Sequence, residues 1–437
     1  MGFLPQLWTV PYDLHDWHQA GAYYSFLQEA VRSGQFPLHM DSDLVTTDRY
    51  LARPDTPLSP NILLLSFLEP GVYTLVDTLI WYSVGNIGLL LLYRRYKFSL
   101  LAFTVLFLLF NFNGHIIDHI AVGHTMWVGY FLLPFLALQL LKMLDQPRVR
   151  WSWVLETALV FCGMFMLGAF HLALWCGMFI IILGVIYPRY LLNIAKVIGL
   201  AAVLSLWRIL PPAMEFKAGT NFPFLTGFPS LMDLFSGLVK LTPPAYAQRD
   251  DWMAIGGWEI DPYIGLLGLV VVAVFGIYLP LRTRSKECVF LAPIFGVTLL
   301  SIGKIYLAIF SLPLPLVDSE RASVRFFIVP LVFLAILTAV HFQRFLDSQK
   351  PFSLRQILFS LGMTLVLAHD FMQHSRLWRV TNLYELFPRD LADIRSPVIN
   401  HPDPAYTTAL VVGAVISILA LVFVLILVWS QRRQKQL

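Results

Sequence analysis

The chain is predicted to be an all-α polytopic membrane bundle, and three observations predict it. Of its 437 residues 57% are apolar and 13% charged, where soluble domains carry nearer a quarter charged residues. The mean hydropathy is +0.68. Apolar blocks long enough to cross or nearly cross a bilayer recur along the chain. Lipid offers no hydrogen bonds to a backbone, so such blocks must be helices, and the short alternating segments of a β-barrel are missing from the pattern.

About eleven blocks satisfy this reading, near 72–93, 98–112, 125–141, 153–168, 170–187, 197–212, 262–281, 288–303, 325–342, 356–372 and 407–430. The short links between them carry 17 of the 31 basic residues and four of the 27 acidic ones, all on one side. Arg94, Arg95, Lys97, Arg282, Arg284, Arg432 and Arg433 are among them. By the positive-inside rule that side is cytoplasmic, which puts the C-terminal tail inside. The net charge of +4 is then a matter of topology and gives no reason to expect nucleic acid as a partner. An odd number of spans places the N-terminus outside. Either a first helix ahead of Asp13 is missing or the N-terminus is translocated unaided, and the missing helix is the expectation.

The chain divides accordingly. Residues 1–70 form a first extracytoplasmic loop with interfacial helices, and 71–212 an N-terminal membrane bundle. Residues 213–261 form a second long outer loop, 262–372 a C-terminal bundle and 373–406 a third outer loop. Residues 407–437 supply the last span and a basic tail. Within the first loop Ala20, Tyr23, Tyr24, Leu27, Ala30 and Val31 recur at helical spacing until Gly34 and Pro37 end the pattern. This reads as a helix lying along the membrane surface, and 56–69 as a second, shorter one. Cys162, Cys176 and Cys288 fall in or beside apolar blocks, so the outer loops hold no disulfide framework.

Four constellations carry chemistry. Asp13, His15, Asp16 and His18 put two carboxylates and two imidazoles within six residues, enough for a general base or a metal ligand, although a solvated loop tolerates them equally. Asn113-Gly114-His115-Ile116-Ile117-Asp118-His119, followed by Gly123-His124, occupies a short outer turn. On a helix His115, Asp118 and His119 share a face, and imidazole with carboxylate suits a divalent cation. Glu320-Arg321-Ala322-Ser323-Val324-Arg325 stands at the outer mouth of a span, where arginine can clamp a phosphate or merely snorkel. Lys304 adds charge nearby, and Arg208 is an intramembrane cation ahead of Pro211-Pro212. Gly256-Gly257-Trp258-Glu259 through Tyr263 suits sugar stacking or an aromatic interface belt.

Taken in order, Asp16-Trp17, Gly34-Gln35-Phe36-Pro37-Leu38, Leu58-Ser59-Pro60, Phe112-Asn113-Gly114, Gly123-His124, Pro134, His171-Leu172-Ala173-Leu174-Trp175, Gly257-Trp258-Glu259, Tyr263-Ile264-Gly265, Ser301-Ile302-Gly303 and Arg321 to Arg325-Phe326 form a series. The series resembles GT-C-type polytopic membrane glycosyltransferases, in their bacterial lipid-linked-sugar transferase branch. The resemblance implies a GT-C-like bundle in the bacterial cytoplasmic membrane with its active face outside. It implies a polyprenyl-phosphate sugar as donor, an acceptor on the outer side, and inversion at the anomeric centre. Asp16, with Asp13 beside it, then supplies the base. Arg321 and Arg325, with Lys304 and Arg208, hold the donor phosphate. Trp17, His18, His124, Trp258, Glu259 and Tyr263 line the substrates. Asp118 matches a metal-binding acid by location, with His115 and His119 as further ligands, so Mg, Mn or Zn is admissible but no cofactor is required. Three departures leave a second expectation open, a catalytically degenerate subunit working with other membrane proteins. His39-Met40-Asp41 follows Pro37-Leu38 where the family has Trp-Asn and a glycine pair, Ser323 or Val324 replaces a proline, and a first span is absent. A lipid or solute transporter is the third expectation.

Overall fold

Where the sequence is apolar the backbone is helical, so the hydrogen-bonding demand of lipid is met within each segment. The structure is a computed structural model. It describes residues 12–42, 47–146, 149–215, 227–241, 246–249, 252–310, 320, 322–349, 354–386 and 393–433. The chain is an integral membrane protein of the helical class. Six segments among the described residues are long and apolar enough to cross a bilayer: Pro70–Tyr96, Leu100–Ala121, Thr125–Leu144, Gly265–Arg282, Ser323–Ser348 and Pro404–Arg433. A seventh is added if the bent pair Pro188–Leu204 and Leu206–Glu215 is one span.

Eleven spans are therefore too many for the described residues, because hydropathy runs on through breaks in the helix. The 153–168 and 170–187 blocks form helices Trp151–Met166 and Phe170–Ile186 of 16 and 17 residues. At about 1.5 Å per residue these fall short of a ~30 Å hydrocarbon core. The 197–212 block turns by 75° between its two helices, with Pro211 and Pro212 inside the second. The 288–303 block is divided between a 3₁₀ turn, Lys286–Phe290, and the helix Leu291–Leu300. The helix Leu354–Leu377 is long enough, but Arg355, Gln356, His369 and Asp370 dilute its apolar run.

The described residues gather into two compact units. One draws on Asn86–His124 and Gly219–Arg389, the other on Leu7–Gly85, Thr125–Ala218 and Asp390–Leu437.

In the first unit the helix Ile328–Ser348 is the core element, buried along nearly its whole length. Helix α3 (Leu100–Asn111, next in the chain after α2, Pro70–Tyr96), the π-helical turn Val272–Tyr278 and the helix Leu291–Leu300 pack on it. Its far end is fixed by polar contacts: the Ser99 N–H donates to Gln343 Oε1 (2.6 Å), and Arg344 donates to both oxygens of Glu287 (2.9 and 2.6 Å). An antiparallel hairpin pairs β1 (Tyr246–Arg249) with β2 (Trp252–Gly256), an element that hydropathy did not suggest.

In the second unit α1 (Trp17–Ser33) matches the periodic segment expected there. It buries Ala20, Tyr23, Tyr24, Leu27 and Ala30 on the side that packs against the 3₁₀ helix Pro60–Ser66. Gly34 ends it at φ 68°, a left-handed conformation that glycine adopts at no steric cost. The last helix, Pro404–Arg433, leaves most of its surface open. It docks through small residues: Gly413 lies against the Trp207 backbone, and Ser417 Oγ donates to the Val203 carbonyl at 2.9 Å.

Candidate functional site

The first unit's site begins at a helix break. Asn113 accepts from the Ile116 N–H (3.3 Å) to open α4 (Gly114–Ala121), and its amide donates to the Leu109 and Phe110 carbonyls (3.0 Å each) to close α3. Gly114 comes next because its N–H donates to the Tyr263 carbonyl at 2.8 Å and a Cβ would overlap the Asp261 carbonyl. With its start pinned this way, α4 turns His115, Asp118 and His119 into the protein, each 0–4% exposed.

These side chains join a polar cluster. His119 Nδ1 lies 2.9 Å from the His115 carbonyl and 3.0 Å from Asp118 Oδ1, while its Nε2 is 3.6 Å from Glu259 Oε2. Glu259 receives two hydrogen bonds from Arg325, one from Nε at 2.6 Å and one from Nη2. The His124 ring lies 5.0 Å from that of His119. Asp118 Oδ1 accepts from the His119 N–H at 2.6 Å, and its Oδ2 has no hydrogen-bond partner among the described residues. Beside them Asp261 Oδ2 binds His374 Nε2 (2.8 Å) and Trp378 Nε1 (3.3 Å), and the His374 ring stacks on Tyr263 at 4.7 Å. Burial by itself would raise the Glu259 pKa. The Arg325 guanidinium and His119 reverse that and hold the carboxyl well below the usual carboxylate range.

Several expectations change on this geometry. His115, Asp118 and His119 share a face, but they do not bring three ligand atoms together as a metal needs. His119 Nδ1 is turned onto the carboxylate and carbonyl of its own helix instead. Glu259 and Arg325, assigned separately to sugar and phosphate, bind each other. Trp258 and Tyr263 are buried, 5% and 3% exposed, so neither offers an open stacking face. Lys304 is exposed on the helix Gly303–Phe310. Arg321 lies outside the described residues.

The remaining candidates belong to the second unit. Asp16 sits at the head of α1, caps nothing with its side chain, and keeps Oδ1 3.5 Å from His15 Nδ1 while 42% of its side chain is exposed. Asp13 is half-buried. Trp17 and His18 point inward, and Trp17 meets Tyr12 edge-on. Arg208 has a structural occupation rather than a phosphate-binding one. Its guanidinium donates to the carbonyls of Leu51 (3.0 Å) and Thr56 (2.8 Å), holding the 51–56 turn, and only 3% of the residue is exposed. An intramembrane arginine needs acceptors, and here backbone carbonyls supply them.

Sequence reasoning missed Asp261, His374 and Trp378. Asp261 stands two residues from a flagged glutamate, which was a usable signal. His374 and Trp378 lie more than a hundred residues away, and no local pattern announces them. No family model, no curated protein and no solved structure matches the chain.

Proposed function

We propose that the chain is a GT-C-like membrane glycosyltransferase that moves a sugar from a polyprenyl phosphate to a hydroxyl acceptor on the extracytoplasmic side of a bacterial cytoplasmic membrane. One observation carries this reading. Three stretches singled out separately by the family resemblance, 113–124, 257–263 and Arg325, meet in a single buried polar cluster within one unit. An isolated carboxylate or arginine in such surroundings would be expensive, and clustered ionisable groups in a membrane protein mark a functional site by default.

In the proposed reaction a general base removes the proton of the acceptor hydroxyl, and Asp16 is the residue to which the resemblance gives that role. The acceptor oxygen attacks the anomeric carbon, the bond from that carbon to the phosphate oxygen breaks, and the lipid phosphate leaves with the electron pair. Arg325 stabilises the departing anion in competition with Glu259, whose carboxylate then keeps His119 as its neighbour. A lipid phosphate is already a good leaving group, so a divalent cation is not needed for this step.

A second reading has an observation of its own. Arg325 is already satisfied by a two-point pair with Glu259, as expected of a subunit that kept the bundle and lost the chemistry. The test is transfer of labelled sugar from polyprenyl-phosphate donors by the full chain in nanodiscs. Transfer should fall about 10²–10⁴-fold in Asp16→Asn, the usual contribution of a general base. Transfer by Asp16→Asn at the parent rate removes Asp16 from the mechanism. No transfer from any donor, together with stoichiometric co-purification of other membrane proteins, establishes the subunit reading instead.

A further inference from the structure

The second unit holds another histidine–acid group, which the proposed reaction does not use. His39 and Asp48 come from the segment after α1, His401 and Asp403 from the segment ahead of the last helix. Backbone pairing zips the two segments together. The Asp41 N–H donates to the Pro397 carbonyl (3.0 Å), the Ile399 N–H to the His39 carbonyl (3.1 Å), and Met40 bridges Val398. The His39 N–H donates to Asn400 Oδ1 at 3.0 Å. Within the first segment the Met40 N–H donates to the Asp48 carbonyl at 2.8 Å. The result is that one ligand atom each from His39, Asp48 and His401 lie within 4.8 Å of one another.

We infer that His39, Asp48 and His401 form a binding site for a zinc-like divalent transition metal, which staples the segment after α1 to the segment before the last helix. Four observations support it. His401 Nε2 is 2.7 Å from Asp48 Oδ2, and the two imidazoles stack with centroids 3.9 Å apart. His39 is fully buried, yet its Nδ1 has no partner among the described residues, while its Nε2 reaches only Asp403 Oδ2, at 3.5 Å. A buried imidazole nitrogen ordinarily finds a partner, and a metal supplies one. Asp403 is itself held by Arg49, from Nε at 2.6 Å and Nη2 at 3.1 Å. That places it as the outer carboxylate that fixes the orientation of a metal-binding histidine.

The donor set selects the metal. Two imidazoles and one carboxylate suit zinc and its borderline neighbours, whereas magnesium and calcium prefer oxygen alone. Zinc takes these ligands at about 2.0–2.2 Å, so ligand atoms around it stand roughly 3.3–3.6 Å apart. Asp48 and His401 have side chains 41% and 48% exposed. They are free to rotate the remaining distance, and a fourth position is left to water.

The probe is zinc chloride, titrated calorimetrically into the full chain in detergent after chelator treatment, with cobalt substitution to report ligand geometry by its visible absorption. We expect one zinc per chain, a rise in thermal stability on binding, and affinity lower by about tenfold or more in His401→Gln and in Asp48→Asn, as for disturbed metal shells. Both residues are half-exposed, so the variants should fold. Absence of stoichiometric binding in the parent chain overturns the inference. So does zinc affinity unchanged in the double variant, which would place the metal elsewhere.

Discussion

Replacing Glu259 with glutamine tests the logic of the buried cluster most directly. Glu259 and Arg325 have side chains 10% and 18% exposed, and two charge-assisted hydrogen bonds join them. Each such bond contributes about 1.5–3 kcal/mol, but the larger effect comes from what is left behind. Arginine cannot shed its proton in a protein, so Glu259→Gln sets a cation against a neutral amide in a site with little access to water. Breaking a buried pair this way costs about 3–5 kcal/mol, and because the glutamine oxygen still accepts one bond the lower end is expected, about 3 kcal/mol. The reverse change, Arg325→Gln, should cost less, since the orphaned carboxyl can take up a proton and become neutral. The double variant should be more stable than the sum of the single effects by about 0.5–3 kcal/mol, the coupling found for residues in one network. Chemical unfolding of all four proteins in the same detergent at neutral pH completes the cycle. A Glu259→Gln cost within about 0.5 kcal/mol of zero, the range of ordinary surface changes, would refute the argument. Arg325 would then have another acceptor, and the pair would not organise the cluster.

Two further outcomes follow from the same structure. Glu259 has a folded pKa below its ordinary value, so its contribution to stability is present above the ordinary glutamate range and is lost as pH falls through the folded pKa. Acid titration of unfolding should show this loss in the parent chain and a flatter profile in Glu259→Gln, and identical profiles would contradict it. Arg208→Met should destabilise the chain by about 3 kcal/mol, since the buried carbonyls of Leu51 and Thr56 each lose a donor worth roughly 1–3 kcal/mol. Faster proteolysis within 51–56 would accompany it, and neither effect would appear if Arg208 were a surface-seeking cation.

The parts legible in the sequence were those governed by local periodicity. The apolar stripe from Ala20 to Val31 and the glycine at 34 gave α1 nearly to its ends, because helix period and a left-handed terminator are local properties. Hydropathy located the membrane helices but not their continuity. It averages over Asn113, which ends one helix and starts another, and over Ser205, where a bend of 75° interrupts an apolar run. The candidate site was legible as residue types and not as partners. His119, Glu259 and Arg325 each stood out alone, but their pairing joins positions 66 and 140 residues apart, which no spacing rule encodes. Arg208 misled for the opposite reason. Intramembrane charge signals a ligand only when the protein offers no acceptors, and the carbonyls that satisfy it lie some 150 residues earlier in the chain.

The docking of the last helix has a consequence for what its sequence must specify. On the side that meets Trp207 and Val203, Gly413 is defined by size, because a larger group there would strike backbone, and Ser417 by its hydrogen bond. Around the rest of the cylinder Val411, Val415, Ile418, Leu419, Val422 and Ile426 are exposed, the kind of surface that a membrane-crossing helix turns to acyl chains. Liquid hydrocarbon has no fixed shape to match, so those positions need only be apolar. One helix thus carries two grammars, a spelling that must be exact at two positions and a vocabulary that can be freely exchanged at six. Interchanging valine, isoleucine and leucine along the open face leaves its message intact, while one added methyl at position 413 does not.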